Sequence, residues 1–343
     1  MANGNEGAGE PLGLGATANA CNKPDMRLVC ATHGHCFDGL ASAVVFTMLA
    51  ESLNPTLEFS YFACGYGAGQ RRADTSILTG EENAILDYRF TPAKELTWYF
   101  DHHATAFASE ADRAVFEARR GSGRYYFDPE YSSCTKLIAD VAKETYGLAL
   151  DDLTELIDWA DIVDAARFAS AEQAIDRTRP VMQLATVVEH YGDDRFLRQI
   201  IPELLKKPLN DVARSTAVQE RHAPLGKRHE RFVERVRTKS QERGRVVLCD
   251  LTDSVADVIG KFVTYALYPD SEYSVIVGLL KNGIKVSVGF NPWSGKERDT
   301  DISAICARYG GGGHPFVGGI SFERSQLDHA RQVAEQIVNE LSG

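Results

Sequence analysis

From residue 26 to about residue 205, short apolar runs that end in polar clusters alternate with longer stretches of helical spacing. Residues 27–31 read as a strand that ends at Thr32-His33-Gly34-His35-Cys36-Phe37-Asp38-Gly39. Residues 40–53, small and apolar, predict a helix packed closely on a sheet, stopped by Asn54-Pro55. A second strand is expected over 57–63, followed by the loop Cys64-Gly65-Tyr66-Gly67. A third covers 82–86 and ends at Asp87-Tyr88-Arg89; a short helical turn over 92–96 leads into a fourth apolar run, Leu96-Thr97-Trp98-Tyr99, which delivers Phe100-Asp101-His102-His103 at its carboxyl end. Strands alternating with helices predict a parallel sheet of right-handed βαβ units. Ligands of such sheets bind at the carboxyl ends of the strands, where these polar clusters would converge.

Further along, Ser132-Ser133-Cys134-Thr135 opens a helix running to Tyr146, and a second helix over 150–166 carries Asp158, Asp161 and Asp164. Spacing of three sets these carboxylates near one another on one face, where they serve either as ligands or as a solvated acidic stripe. More helix is expected over 181–205. Residues 210–243 are charged and helix-permissive apart from Pro224 and Gly226, which predicts a bent helical connector whose Lys227-Arg228-His229 run could touch phosphates but reads more readily as a solvated face. Strands over 246–249, 273–280 and 284–290 follow, the last two joined by a Lys281-Asn282-Gly283 hairpin. A helix over 301–309 runs into Gly310-Gly311-Gly312-Gly313-His314-Pro315, then a strand over 319–322 and a last helix over 327–341. Successive glycines can point backbone N–H groups at one anion, so this stretch reads as a phosphate nest.

The fold class is therefore α/β, an N-terminal parallel-sheet domain over 26–205 and a smaller C-terminal α/β domain with a mixed sheet over 245–343, joined by a helical linker over 206–244. Residues 1–25, rich in Gly, Ala and Asn, read as a disordered leader. Two domains also suit a length of 343 residues.

A formal net charge of −11 argues against a long nucleic acid as ligand, though a small anionic substrate is compatible if metal supplies positive charge locally. Seven scattered cysteines without CxxC spacing indicate neither a zinc ribbon nor a disulfide framework. Nothing reads as a membrane span or a secretory signal, so a cytoplasmic address is expected.

An Asp and two adjacent His at a strand end can bind metal, orient a ligand and touch substrate. In isolation the same triplet also occurs as a cap with hydrogen-bonded histidines. In order along the chain stand a His/Asp loop after the first strand, an Asp after a later strand, Asp-His-His, an Asp in a helical segment, and Gly-Gly-Gly-His. In this order and content, residues 26–343 resemble the DHH phosphoesterase superfamily, in the arrangement with a C-terminal DHH-associated domain. The first motif departs from the common one: His33 is followed by His35, Cys36 and only Asp38, close to a subset with the pattern His-x-Asn-Cys-x-Asp-Gly.

The resemblance implies a two-metal site, usually Mn²⁺ with other divalent ions admissible. His33, Asp38, Asp87, His102 and Asp161 would be the ligands, Asp87 bridging; His35, Cys36 or a water would fill the place of the missing oxygen ligand, or that metal would bind weakly. A thiolate or imidazole there favours a borderline metal over Mg²⁺. His103 would face substrate or leaving group and Asp101 would support the site by hydrogen bonding. Gly311, Gly312, Gly313 and His314, with Arg89, would grip the substrate. The implied activity is metal-dependent hydrolysis of short RNA or DNA oligonucleotides or dinucleotides to mononucleotides, in the manner of an oligoribonuclease. Alternatives are a phosphatase acting on 3′-phosphoadenosine 5′-phosphate, a cyclic-dinucleotide phosphodiesterase, and a nucleotide-binding sensor without turnover. Members of the superfamily often form homodimers.

Overall fold

The computed structural model describes Met1 and residues 26–65, 72–256 and 259–343. The leader expected over 1–25 lies, Met1 apart, outside the described residues. So do Tyr66 and Gly67 of the loop after the second strand.

Five strands, β1 (Met26–His33), β2 (Leu57–Cys64), β3 (Glu82–Leu86), β4 (Trp98–Asp101) and β5 (Tyr125–Phe127), form the first sheet in the order β2-β1-β3-β4-β5, every neighbouring pair parallel. Between β1 and β2 runs α1 (Phe37–Leu53). Every residue of α1 from Phe37 to Ala50 is buried except Met48, so this helix has no solvent face and is held by packing on all sides. Gly39 makes its first turn possible, because a Cβ there would lie 2.1 Å from the His33 carbonyl oxygen. Residues 92–96 form a turn rather than a helical turn. Two elements follow that the apolar pattern does not announce, α2 (Glu110–Arg120) and β5, and α2 buries only Asp112 and Phe116.

Helices α3 (Cys134–Glu144) and α4 (Thr154–Asp164) pack on α1, and Ser133 caps α3 by accepting from the Lys136 N–H at 3.1 Å. A short helix, α5 (Ala171–Ile175), comes first, and the helical stretch expected over 181–205 is divided into α6 (Pro180–Tyr191) and α7 (Asp194–Leu204), separated by Gly192 and the Asp193 cap. After α8 (Leu209–Ala213), α9 (Thr216–Lys239) is assigned as one helix through Pro224 and Gly226.

The second sheet begins inside the expected linker, because Ser240–Arg243 is its edge strand β6. With β7 (Val246–Leu251), β8 (Tyr273–Leu280), β9 (Gly283–Phe290), β10 (Gly312–His314) and β11 (Val317–Phe322) it has the order β10-β11-β9-β8-β7-β6. Only β7 and β8 run parallel, so the sheet is mixed. Helices α10 (Lys261–Leu267), α11 (Ile302–Arg308) and α12 (Leu327–Ser342) complete it. The two halves meet through Trp293, which packs with Phe262 against the first core and donates its indole N–H to the Phe168 carbonyl at 2.9 Å. No helix among the described residues is long and apolar enough to cross a membrane.

Candidate metal centre and glycine cleft

Each strand of the first sheet that carries a polar cluster ends at the same place. His33 closes β1, Asp87 follows β3 and Asp101 closes β4. Asp87 adopts a left-handed backbone (φ 54°), as does His35 (φ 57°), a conformation that costs a non-glycine residue about 1–2 kcal/mol and that Asp and His tolerate better than most. Such strain persists where the surroundings fix it, commonly at functional sites.

The Asp87 carboxylate is buried, and neither of its oxygens receives a hydrogen bond. Imidazole nitrogens stand around it instead: His33 Nδ1 at 3.4 Å, His102 Nε2 at 3.6 Å and His103 Nδ1 at 3.6 Å. The Cys36 thiol completes a group with His33 and Asp87. His102 Nε2 also faces Asp164 Oδ2 at 3.4 Å and Asp38 Oδ2 at 3.8 Å. These contacts are too long for hydrogen bonds and point into common space. Three overlapping donor groups result, His33-Cys36-Asp87, Asp87-His102-His103 and Asp38-His102-Asp164, with Asp87 and His102 each belonging to two.

The remaining atoms of these side chains are anchored. His102 Nδ1 lies 3.0 Å from the Tyr131 carbonyl. Asp38 accepts the backbone N–H groups of Cys134 (2.8 Å) and Thr135 (3.0 Å), so it caps α3 while facing the site. Asp101 accepts from the N–H groups of His102 and His103, from the Tyr99 hydroxyl at 3.0 Å and from His103 Nδ1 at 2.8 Å. It is buried and fully bonded, and it leaves His103 Nε2 as the free edge of that ring.

Charge is distributed accordingly. Burial works to raise the Asp87 carboxyl, but His102, His33 and His103 outweigh it and hold the group at about 2. Burial lifts Asp38 well above the carboxylate range, with Asp87 and Asp164 adding to the effect, and burial and Asp87 likewise raise Asp164. His102 is raised against its own burial by Asp87, Tyr131 and Asp38. Protons thus gather where acidic and imidazole donors crowd together. A divalent cation would displace them and satisfy the orphaned oxygens of Asp87 and Nε2 of His102. The donor set fits a borderline divalent metal.

Asp161, the helical residue expected here, is not among the converging groups. It accepts from the hydroxyls of Ser132 and Ser133 and from Arg167 Nη1 at 3.3 Å. Its place is taken by Asp164, one turn later at the end of α4. His35 is also turned away: it is exposed, its N–H bonds the Gly192 carbonyl at 3.0 Å and its Nδ1 lies 3.2 Å from the Glu189 carbonyl. Arg89 is half-buried two residues beyond Asp87.

The glycine stretch does not form a nest. Gly312–His314 is an exposed edge strand paired antiparallel with β11, Gly312 opposite Gly319 and Gly313 opposite Gly318. Gly313 cannot be replaced without strain, since its φ is 152° and a Cβ would meet the Val317 carbonyl oxygen at 2.2 Å. Together with β9 and the start of α10, the glycine hairpin walls a cleft of 510 Å³. Two lysines that sequence reasoning did not single out, Lys261 and Lys285, stand in it, and no carboxylate among the described residues lies within ion-pair distance of either. Burial and the neighbouring Lys285 ammonium push Lys261 below its ordinary value. The positive charge of the cleft comes from lysines that stand beside the glycines.

No family model matches the chain, and no curated protein matches it. Solved structures do. A pGpG-specific phosphodiesterase, PggH of Vibrio cholerae, is similar over 92% of this chain and 99% of that one, with a TM-score of 0.62 at 19% identity. The DHH domain of a protein described as a member of a family of ribosomal proteins is similar over 92% of this chain and 87% of that one, with a TM-score of 0.55 at 14% identity. The fold is that of the DHH proteins, a parallel-sheet unit followed by a C-terminal domain.

Proposed function

We propose that the chain is a divalent-metal-dependent phosphoesterase that hydrolyses dinucleotides or short oligonucleotides to mononucleotides. The observation that carries this reading is Asp87, a buried carboxylate with no hydrogen-bond donor on either oxygen, ringed by imidazoles that aim at the same space. His33, Cys36, Asp38, Asp87, His102 and Asp164 would hold the metal, with Asp87 shared between two ions, Mn²⁺ being the expected species. Bound there, such cations supply a nucleophile from water at neutral pH and offset charge on phosphoryl oxygens.

The chain's own groups would do the rest. When water adds to phosphorus and the phosphorus–oxygen bond breaks, the leaving oxygen needs a proton. His103 is placed to give it from Nε2, because Asp101 holds Nδ1 and raises the ring above its ordinary value. Asp101 acts through His103 as its positioning residue. Lys261, Lys285 and the glycine hairpin would grip a neighbouring phosphate, limiting the substrate to a short one, which a net charge of −11 also favours. Likeness to a pGpG-specific phosphodiesterase supports a linear dinucleotide over the phosphatase and cyclic-dinucleotide alternatives. The six described cysteines are unpaired, which supports a reducing, cytoplasmic setting.

The test is purified protein with Mn²⁺ and a panel of pGpG, a five-nucleotide RNA, a cyclic dinucleotide and 3′-phosphoadenosine 5′-phosphate, products resolved by chromatography, beside Asp87→Asn. Mn²⁺-dependent cleavage of the linear dinucleotide, lost in the variant, is the expected result. Nucleotide binding with no cleavage of any member would overturn the enzyme reading in favour of a sensor.

A further inference from the structure

The basic run of the connector, read from the sequence as a solvated face, lies along a cavity. Between α6, α9 and the segment after β7 opens a space of 660 Å³ walled on its polar side by Arg177, His190, Arg228, His229, Arg231 and Arg235. None of these residues belongs to the metal centre or the glycine cleft. A volume of this order suits a mononucleotide or another small ligand.

Some of this charge is already spoken for. Arg235 pairs with Asp253 at 2.6 Å, and Arg228 Nη2 contacts His190 Nε2. Arg177 and Arg231 are different. Half-buried Arg177 donates only to the carbonyls of Ala174 (3.1 Å) and Asp176 (3.4 Å), and Arg231 to that of Lys227 (3.2 Å). Among the described residues no carboxylate stands within ion-pair distance of either. Glu189, the one acidic residue of the lining, is near enough for Arg177 to feel its charge but not to pair with it. Behind Arg177, buried His222 has an Nε2 with no partner. Burial and the Arg177 guanidinium push both His222 and His229 below their ordinary values. Among the described residues Arg177 and Arg231 thus line one cavity without a carboxylate to receive them, an arrangement that is costly for the half-buried Arg177 and that an incoming anion relieves. A guanidinium fork matches phosphate oxygens two at a time. Leu225 and Phe232 of the same helix and Val255, which is 46% exposed, add apolar surface to the lining.

We propose that this cavity is a second anion site, separate from the metal centre, which takes the phosphate of a nucleotide-sized phosphomonoester between Arg177 and Arg231 and lays its apolar part against Phe232. The site is not idle with respect to the rest of the molecule. The carbonyl of Glu189 in its wall contacts His35 of the loop that carries His33, and Ala256 of its wall stands four residues before Gly260 of the glycine cleft in the sequence.

The experiment is calorimetric titration of the full chain in EDTA, so that the metal centre is silent, with guanosine 5′-monophosphate, inorganic phosphate and guanosine as probes. The variants are Arg231→Gln, Arg177→Gln, Asp87→Asn and His314→Ala, each checked for folding by thermal unfolding. The expected result is a guanosine 5′-monophosphate binding step of one equivalent that is at least about tenfold weaker in Arg231→Gln and Arg177→Gln and unchanged in Asp87→Asn and His314→Ala, any further step lost in His314→Ala belonging to the glycine cleft, with guanosine inert. If Arg177→Gln does not fold, the exposed Arg231 variant decides alone. The proposal is overturned if no binding step weakens in the arginine variants, if every step is lost in His314→Ala, or if both phosphate probes fail to bind at millimolar concentration. Inorganic phosphate binding as tightly as the nucleotide would support the anion site and overturn the nucleotide assignment.

Discussion

At the carboxyl edge of the first sheet, carboxylates, imidazoles and a thiol crowd so closely that both oxygens of Asp87 and a ring nitrogen of His102 go without hydrogen bonds. At the glycine edge of the second sheet the opposite holds, with side chains withdrawn and two lysines facing a strand that is mostly backbone. The first place stores unsatisfied polarity, which is what a cation or a reacting group can use. The second stores room, which lets a ligand approach the main chain closely. In the function proposed above, chemistry and grip are divided between two sheets, and each half should fail in its own way when altered.

The largest effect is expected at the crowded edge. Asp87→Asn removes the shared carboxylate, and turnover with Mn²⁺ should fall by about three orders of magnitude, the scale on which a transition-state charge stabiliser is felt. The same variant should keep nucleotide affinity in the glycine cleft, and a parallel loss of that affinity would break the division. Next comes Asp101→Asn. Among the described residues its carboxylate accepts hydrogen bonds from Tyr99, His102 and His103 alone, so turnover should drop about 10–100-fold with the pH profile displaced, because the ring of His103 loses the partner that raises it. A loss of rate without a change in the pH profile would reduce Asp101 to scaffolding.

At the roomy edge, a Cβ on Gly312 meets nothing within 4 Å, so Gly312→Val should fold normally and narrow the cleft. KM is expected to rise about tenfold with kcat and metal affinity unchanged. Cys36→Asp would exchange a soft donor for a hard one beside His33, and the ratio of Mg²⁺- to Mn²⁺-supported activity should rise by a few-fold. The smallest effect concerns Asp299 in the second unit, which accepts from Tyr273 Oη and Arg245 Nη1, each at 2.6 Å, and is held below its ordinary value chiefly by Tyr273. A depressed carboxyl stabilises the fold above its unfolded value of about 4 and loses that contribution as pH falls below it. Asp299→Asn should flatten the acid side of the melting curve while shifting Tm by about 2 °C or less at pH 7, since the pair is exposed.

Much of the first half was legible because its signals are local. The run at 82–86 and the apolar approach to Asp-His-His mark strands whose ends must carry whatever follows them. Selecting Asp164 over Asp161 was not legible. Three carboxylates at a spacing of three share a face, and only the docking of α4 decides that the last one reaches His102 while Asp161 is used by two serines and Arg167. The glycine motif misled in the same way. Four glycines in a row permit a nest, but the pairing of Gly312 with Gly319 is a long-range fact that turns them into a strand. Lys261 and Lys285 are far apart in sequence and meet only across the cleft. α2 and β5 escaped notice because α2 buries just two residues, and one of them, Asp112, is there for its paired bonds to Arg72 at 2.6 and 2.7 Å.

The parallel order β2-β1-β3-β4-β5 has a consequence for how the chain lives and dies. No two neighbouring strands of that sheet can pair through a tight turn, so donors from position 33 to position 164 come together only after every crossover has closed. Partly folded forms therefore lack the complete cluster, and the cations proposed for it would bind the finished fold alone. By mass action, metal at about a hundred times its dissociation constant adds about 2.7 kcal/mol to the folded state. When metal is scarce, the empty chain opens more often and meets proteases more often. Cellular abundance of the protein should then track the metal supply, falling together with its activity.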